Sequence, residues 1–300
     1  MYQVKRVSRS EFTRIRCLNY HVRIWGQPTE GQAPLVMVHG WMDVAASYQF
    51  VVDAFAQDRY IIAPDWRGYG LTEVAPVDNY WFPDYLADLD FLLDHHAQRQ
   101  AVDLVGHSMG GNIAMLYAGV RPERIRRLVN LEGFGMPVTQ PSQAPGRYAK
   151  WMDELKTLHA GQMDLKTYDS VQGVARRLMK TNTRLDQHKA DWLARHWART
   201  NACGQWEILG SPAHKVSNPY LYRVDEVLEV YQRITAPTLA VEASDNSLDQ
   251  WFNGKFTLEQ YHERLRQVAD VRIERVADAG HMMHHDQPEI LAGLIERFLG

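Results

Sequence analysis

Asp103-Leu104-Val105-Gly106-His107-Ser108-Met109-Gly110-Gly111 is a short apolar run that ends in G-x-S-x-G. Residues 101–105 read as a buried strand and residues 112–119 as a helix. A serine hydroxyl is a weak nucleophile unless its geometry is forced and a base stands nearby. Glycines at 106 and 110 leave room for a sharp strand-to-helix turn. Such a turn raises Ser108 Oγ above the sheet and exposes the Met109 backbone N–H to an incoming carbonyl. Five residues alone arise by chance. The flanking strand and helix distinguish this copy from an ordinary turn and make Ser108 the candidate nucleophile.

On this kind of turn the acid and then the histidine follow the serine in the chain. Near the C-terminus stands Val276-Ala277-Asp278-Ala279-Gly280-His281-Met282-Met283. A strand-like stretch at 271–276 precedes it, and Gln287-Pro288-Glu289 opens a helix after it. Gly280 frees the backbone so that His281 can reach back to Ser108, which makes His281 the candidate general base. His284 and His285 stand close by, but an ordinary loop histidine is the simpler reading of each.

Four motifs in this order resemble the α/β-hydrolase superfamily along almost the whole chain. Leu35-Val36-Met37-Val38-His39-Gly40-Trp41 is similar to that family's third strand and oxyanion loop. Ala63-Pro64-Asp65-Trp66-Arg67-Gly68-Tyr69-Gly70 is similar to its D-x-R-G-x-G turn. Gly106 to Gly110 matches the nucleophile elbow, and Gly280-His281 the histidine loop. The resemblance implies an oxyanion hole formed by the Trp41 and Met109 amides. It implies structural roles for Asp65 and Arg67, and backbone hydrogen bonds for His39 and His107. It further implies a mostly parallel, doubly wound α/β sheet with an inserted helical cap.

The acid departs from the family pattern. The seventh strand is expected at 238–242, and the family usually follows it with Gly-x-x-Asp. Here the run is Ala243-Ser244-Asp245-Asn246-Ser247-Leu248-Asp249, so the usual position falls on Asn246 and Asp245 comes one residue early. Glu132, just past the sixth strand, stands where some relatives place the acid. A carboxylate at the end of an apolar strand is costly to bury without a partner, and an imidazole N–H would supply one. Glu132 and Asp245 both stay open as the acid, with Asp249 and Glu242 as weaker alternatives.

Alternation of strands and helices extends through the first 131 residues. Residues 12–17 and 20–25 suggest a hairpin around Asn19. Strands follow at 35–38, 60–63, 101–105 and 127–131, with helices near 46–57 and 81–95. That order implies a parallel sheet covered on both faces, with ligands at the carboxyl ends of its strands. From 136 to 231 the pattern turns helical, at 147–159, 170–179, 187–197 and 224–234. The expected division is a core of 1–135 and 232–300, with a cap of 136–231 between strands six and seven. Phe134 and Met136, with Trp41, are the candidate pocket walls because they adjoin the site motifs.

Composition narrows the function classes. The chain has 300 residues, 45% of them hydrophobic, enough for a full core. Its net charge of −3, with interspersed signs, gives no nucleic-acid signature. Two distant cysteines, Cys17 and Cys203, argue for reduced thiols and a cytoplasmic protein. No apolar run follows the charged N-terminus, and no stretch approaches a membrane span. No metal or organic cofactor is expected, because His95-His96 and His284-His285 lack companion ligands in sequence.

The expected activity is hydrolysis of an ester-type bond in a small apolar substrate through an acyl-enzyme. Lactones, thioesters and C–C bonds stay open on the same site. Epoxide hydrolases and haloalkane dehalogenases carry an aspartate at the elbow where this chain has Ser108. C–C hydrolases of aromatic catabolism usually place Asn before the serine, where this chain has His107. A catalytically silent binding protein is the reading from another class. The irregular 243–249 loop favours it, whereas Ser108, His281, Gly40 and both elbow glycines together speak against it.

Overall fold

The computed structural model describes residues 2–300, apart from the side chain of Asp249. The chain opens with β1 (Arg9–Ile15) and β2 (Leu18–Trp25), an antiparallel pair. Their turn lies at Arg16 and Cys17 instead of around Asn19, with Arg16 at a φ of +52°. β3 (Leu35–Val38) leads to a short 3₁₀ turn, Ala45–Tyr48, and α1 (Gln49–Ala54). β4 (Ile61–Pro64), α2 (Pro83–Ala97), β5 (Val102–His107), α3 (Met109–Val120) and β6 (Ile125–Leu131) follow.

The next segment carries α4 (Ala144–His159), β7 (Thr167–Tyr168), α5 (Val171–Thr181) and α6 (Gln187–Trp197). It continues through β8 (Ala198–Thr200), β9 (Trp206–Ile208) and α7 (Val224–Tyr231). The chain closes with β10 (Thr238–Ala243), α8 (Leu248–Phe252), α9 (Leu258–Leu265), β11 (Val271–Val276), α10 (Met283–Asp286) and α11 (Pro288–Leu299).

Eight strands form one sheet in the order β1-β2-β4-β3-β5-β6-β10-β11, parallel from β4 onward. The side-chain period of two explains the layers. Val36, Val38 and Leu104 face one core, beneath α2 and α3. Leu35, Met37, Val105, Val129 and Val241 face the other, beneath α1 and α11. Each fully buried side chain of this size stabilises the fold by about 1.5–3 kcal/mol before entropy is counted. From β3 the chain runs one way along the sheet, to β4, and from β5 it runs the other way, to β6. The loops after β3 and β5 therefore flank a topological switch point, where such sheets form their crevice.

Residues 136–231 depart from the purely helical expectation. β7, β9 and β8 form a small antiparallel sheet, in strands too short to show alternation in sequence. α5 and α6 share a third core with Val44, Ala46 and Phe50. α7 belongs elsewhere: Val227 and Tyr231 lie in the first core, and Val230 presses on Gly119 of α3. This last helix packs with the sheet, so the change of layer precedes residue 231. Cys17 and Cys203 are free and exposed. Among the described residues no helix is long and apolar enough to cross a membrane.

Candidate active site

Ser108 occupies the single residue between β5 and α3, at φ +54° and ψ −115°. Non-glycine residues rarely adopt this backbone region, and holding one there costs of order 1–3 kcal/mol. The neighbours enforce it. A Cβ on Gly106 would strike the Gly110 carbonyl, and one on Gly110 would strike the carbonyls of Val38 and His39. The Ser108 amide is bonded to the Leu131 carbonyl at 2.8 Å. That bond holds Ser108 at the N-terminus of α3, beside the end of β6.

The loop after β3 passes directly beside it. A Cβ on Gly40 would lie 3.1 Å from Ser108 Cβ. Trp41 and Met42 follow, Met42 with a φ of +55°. Met109 is the first residue of α3, so its N–H has no intrahelical acceptor and points with the helix dipole. His39 bonds backbone on both sides, to the Trp66 amide at 2.9 Å and the Gly40 carbonyl at 2.8 Å. Asp65 accepts from the Ala45 and Leu71 amides and from His21. Arg67 grips buried Asp88 with two nitrogens. His39, Asp65 and Arg67 thereby brace the loops around the crevice.

His281 arrives from the loop after β11. Its Nδ1 lies 2.8 Å from Glu132 Oε2. Glu132 is 1% exposed and has a φ of +52°, which aims its side chain back across the end of β10. Its second oxygen accepts the Ala243 amide at 2.9 Å. The Ser247 hydroxyl stands 3.3 Å from the same His281 nitrogen and 3.5 Å from Glu132. His107 Nε2 meets the His281 carbonyl at 2.8 Å, linking the elbow to the histidine loop. Burial pushes His107 well below the usual histidine range, and the neighbouring His284 and His281 add to this. His107 is therefore neutral, and its partner assigns the Nε2–H tautomer.

Asp245 is elsewhere. Its exposed carboxylate pairs with Arg184 on the surface, because the chain turns outward after Ser244. Glu242 is also committed, at 2.5 Å from His262. The Asp249 side chain lies outside the described residues. Phe134, expected as a pocket wall, is 3% exposed and sits edge-on to Tyr261 in the first core. Its ring serves the core because Gly133 and Asn130 turn the chain inward there. Met136 is exposed, and its carbonyl accepts from Arg264.

Sequence reading missed Ser247 and Trp251. The Trp251 ring stands 4.2 Å from the His281 ring, nearly perpendicular, and is 44% exposed. Trp41, next to Gly40 in the loop that passes Ser108, is 54% exposed. No local signal in the irregular 244–252 stretch marks these contacts.

Residues 136–231 touch the same loops. Trp41 Nε1 donates to the His214 carbonyl at 3.3 Å, and Asn182 donates to Asp286 at 2.7 Å. His214 is sandwiched between Tyr69 and Tyr80, at 3.8 and 3.7 Å between ring centroids. Burial pushes its pKa down to about 3. An unfolded histidine titrates near 6.5, so below that pH the unfolded chain binds a proton the folded chain refuses. Stability should therefore fall as pH drops from about 6.5 towards about 3. His214→Phe keeps the stack but removes the proton site. Urea midpoints at pH 4 and pH 7 should differ less in this variant than in the wild type. At pH 7 the variant should lose about 1 kcal/mol, from the bond to the Gly68 carbonyl. An undiminished difference would show that His214 is not part of the acid limb.

A doubly wound sheet with a strained serine at its switch point and, beside it, a histidine held by a buried carboxylate defines a class, the α/β hydrolases. Residues 33–288 match the alpha/beta hydrolase fold family, and the chain belongs to it. A serine hydrolase-like protein of Danio rerio is 25% identical over 92% of this chain and 84% of its own length. The esterase YbfF of Escherichia coli is 24% identical over 91% of this chain and 95% of its own. The thioesterase domain from the curacin biosynthetic pathway superposes with a TM-score of 0.80 at 22% identity. That match covers 97% of this chain and 99% of the domain, and it concerns the fold. With the family match, the two named relatives place the chain among hydrolases of the esterase-like kind.

Proposed function

We propose that this chain is a serine hydrolase that cleaves an ester of a small apolar substrate through a Ser108–His281–Glu132 triad. The observation that carries this reading is the 2.8 Å contact between Glu132 Oε2 and His281 Nδ1 beside the elbow. Glu132 holds the imidazole with Nδ1–H towards itself, which leaves Nε2 as the base. His281 takes the Ser108 proton as Oγ bonds to the ester carbonyl carbon. The Trp41 and Met109 amides hold the resulting oxyanion, and one such donor lowers the barrier by about 3 kcal/mol. His281 then protonates the leaving alcohol as the C–O bond breaks. Water, deprotonated by His281, attacks the acyl-enzyme, and Ser108 leaves with that proton.

Residues 136–231, up to the change of layer before α7, act as a cap in this scheme. Trp41, Trp251 and Met136 line its mouth, and their apolar faces favour an acyl chain over a charged group. Phe134 backs the pocket from the core.

A p-nitrophenyl ester series from acetate to decanoate tests the reading. Turnover with a chain-length optimum supports it, and the optimum sizes the pocket. Fluorophosphonate labelling without turnover would redirect the substrate to thioesters, lactones or C–C bonds. Neither turnover nor labelling would leave a binding protein.

A further inference from the structure

Behind the serine and the histidine lies a closed group that this chemistry does not use. Asp43 follows β3, His107 ends β5, and His284 stands in α10. All three are buried, and one ligand-type atom from each lies within 4.8 Å of the others. Asp43 Oδ2, His107 Nδ1 and both ring nitrogens of His284 have no hydrogen-bond partner. The closest pair, His284 Nε2 and Asp43 Oδ2, is 3.6 Å apart, too long for a hydrogen bond. Buried polar atoms are almost always satisfied, so this cluster of three residues, one ligand-type atom from each, calls for an occupant.

The outer partners suit a metal. A ligating histidine usually gives its other N–H to a carbonyl or carboxylate, which fixes ring and tautomer. His107 does this: Nε2–H donates to the His281 carbonyl, and the Nδ1 lone pair faces the group. Asp43 Oδ1 accepts the Val44 amide at 2.8 Å and the Ser47 hydroxyl, which leaves Oδ2 for the centre. Two imidazoles and one carboxylate are donors for a divalent first-row transition metal. Calcium and magnesium would ask for oxygens alone.

We propose that Asp43, His107 and His284 form a buried binding site for one divalent transition metal ion of the zinc class. The ion ties the loop after β3, the elbow strand and α10 together. It takes no part in bond breaking, and the site stands whether or not the ester reading does. The competing reading is that the three side chains pack together with no ion bound.

Metal content decides between them. The chelator-stripped full chain is refolded with zinc, because the group is closed to solvent, and desalted. One zinc retained per chain and a raised unfolding midpoint are expected. Asp43→Asn and His284→Gln should weaken retention by more than about 100-fold, beyond the loss of an outer partner. A His95→Gln/His96→Gln double variant should retain zinc fully. Should the core variants fail to fold, cobalt(II) in the wild-type chain gives a second readout. Visible d–d bands of a low-coordinate nitrogen and oxygen site support the proposal. No zinc retained, or zinc lost only in the His95/His96 variant, would overturn it.

Discussion

Ser108→Ala is expected to remove turnover on every ester that the wild-type chain hydrolyses. The loss in kcat should be on the order of 10⁶-fold, the scale on which serine hydrolases of another fold lose their nucleophile. The proposed oxyanion donors and the exposed Trp41 and Trp251 are unchanged, so KM should change far less than kcat. Folding should be nearly untouched. Alanine meets the same backbone demand at φ +54° as serine, and the Gly106–Gly110 contact that sets the turn is unaltered. Parallel ester assays and unfolding curves on the two chains check both halves. Appreciable turnover in the variant would remove Ser108 from the mechanism. Loss of folding would make the activity result uninformative, and fluorophosphonate labelling of the wild type would then identify the nucleophile.

Glu132→Gln should cost on the order of 10⁴-fold in kcat, whereas Asp245→Asn should leave kcat within a few fold. The large effect follows from two donors that share one side chain. The Ala243 amide donates to Glu132 Oε1, so a glutamine there must place its carbonyl oxygen at that position. Its NH₂ group then faces His281 Nδ1, where it donates instead of accepting. The imidazole is driven to the opposite tautomer, with Nε2–H towards the serine and no lone pair for its proton. Asp245, on the surface with Arg184, meets neither His281 nor Glu132. Measuring kcat for both variants on the best p-nitrophenyl ester separates the two carboxylates. Small, equal losses would mean that neither is the acid.

Legibility followed the range of each interaction. The elbow is short-range: Gly106, Ser108 and Gly110 lie within one turn, and the strand and helix that strain it adjoin it in sequence. The parallel strands of the main sheet were readable to within two residues, because buried parallel strands are continuous apolar runs, whereas the antiparallel β1 begins three residues earlier than expected. Less was visible where elements are short. β7 to β9 have two or three residues each, and Leu258–Leu265 buries only a narrow face. α7 looked like part of the helical segment before it, yet Val227 and Tyr231 close the core beside α3. Nothing in its own periodicity says which neighbour its apolar face will meet.

By itself, then, the sequence determined the class of fold and the placing of Ser108 and His281 on loops at the carboxyl edge of a parallel sheet. Local sterics and hydrophobic periodicity act within a few residues and leave their pattern in the chain. Only the tertiary structure decided which carboxylate lies against His281. Glu132 and His281 are 149 residues apart. The left-handed turn at Glu132 and the outward turn after Ser244 choose between the two carboxylates. The same holds for Asp43, His107 and His284, which no spacing connects. Their meeting depends on the strand order β3-β5-β6-β10-β11, and strand order is fixed by packing over the whole sheet.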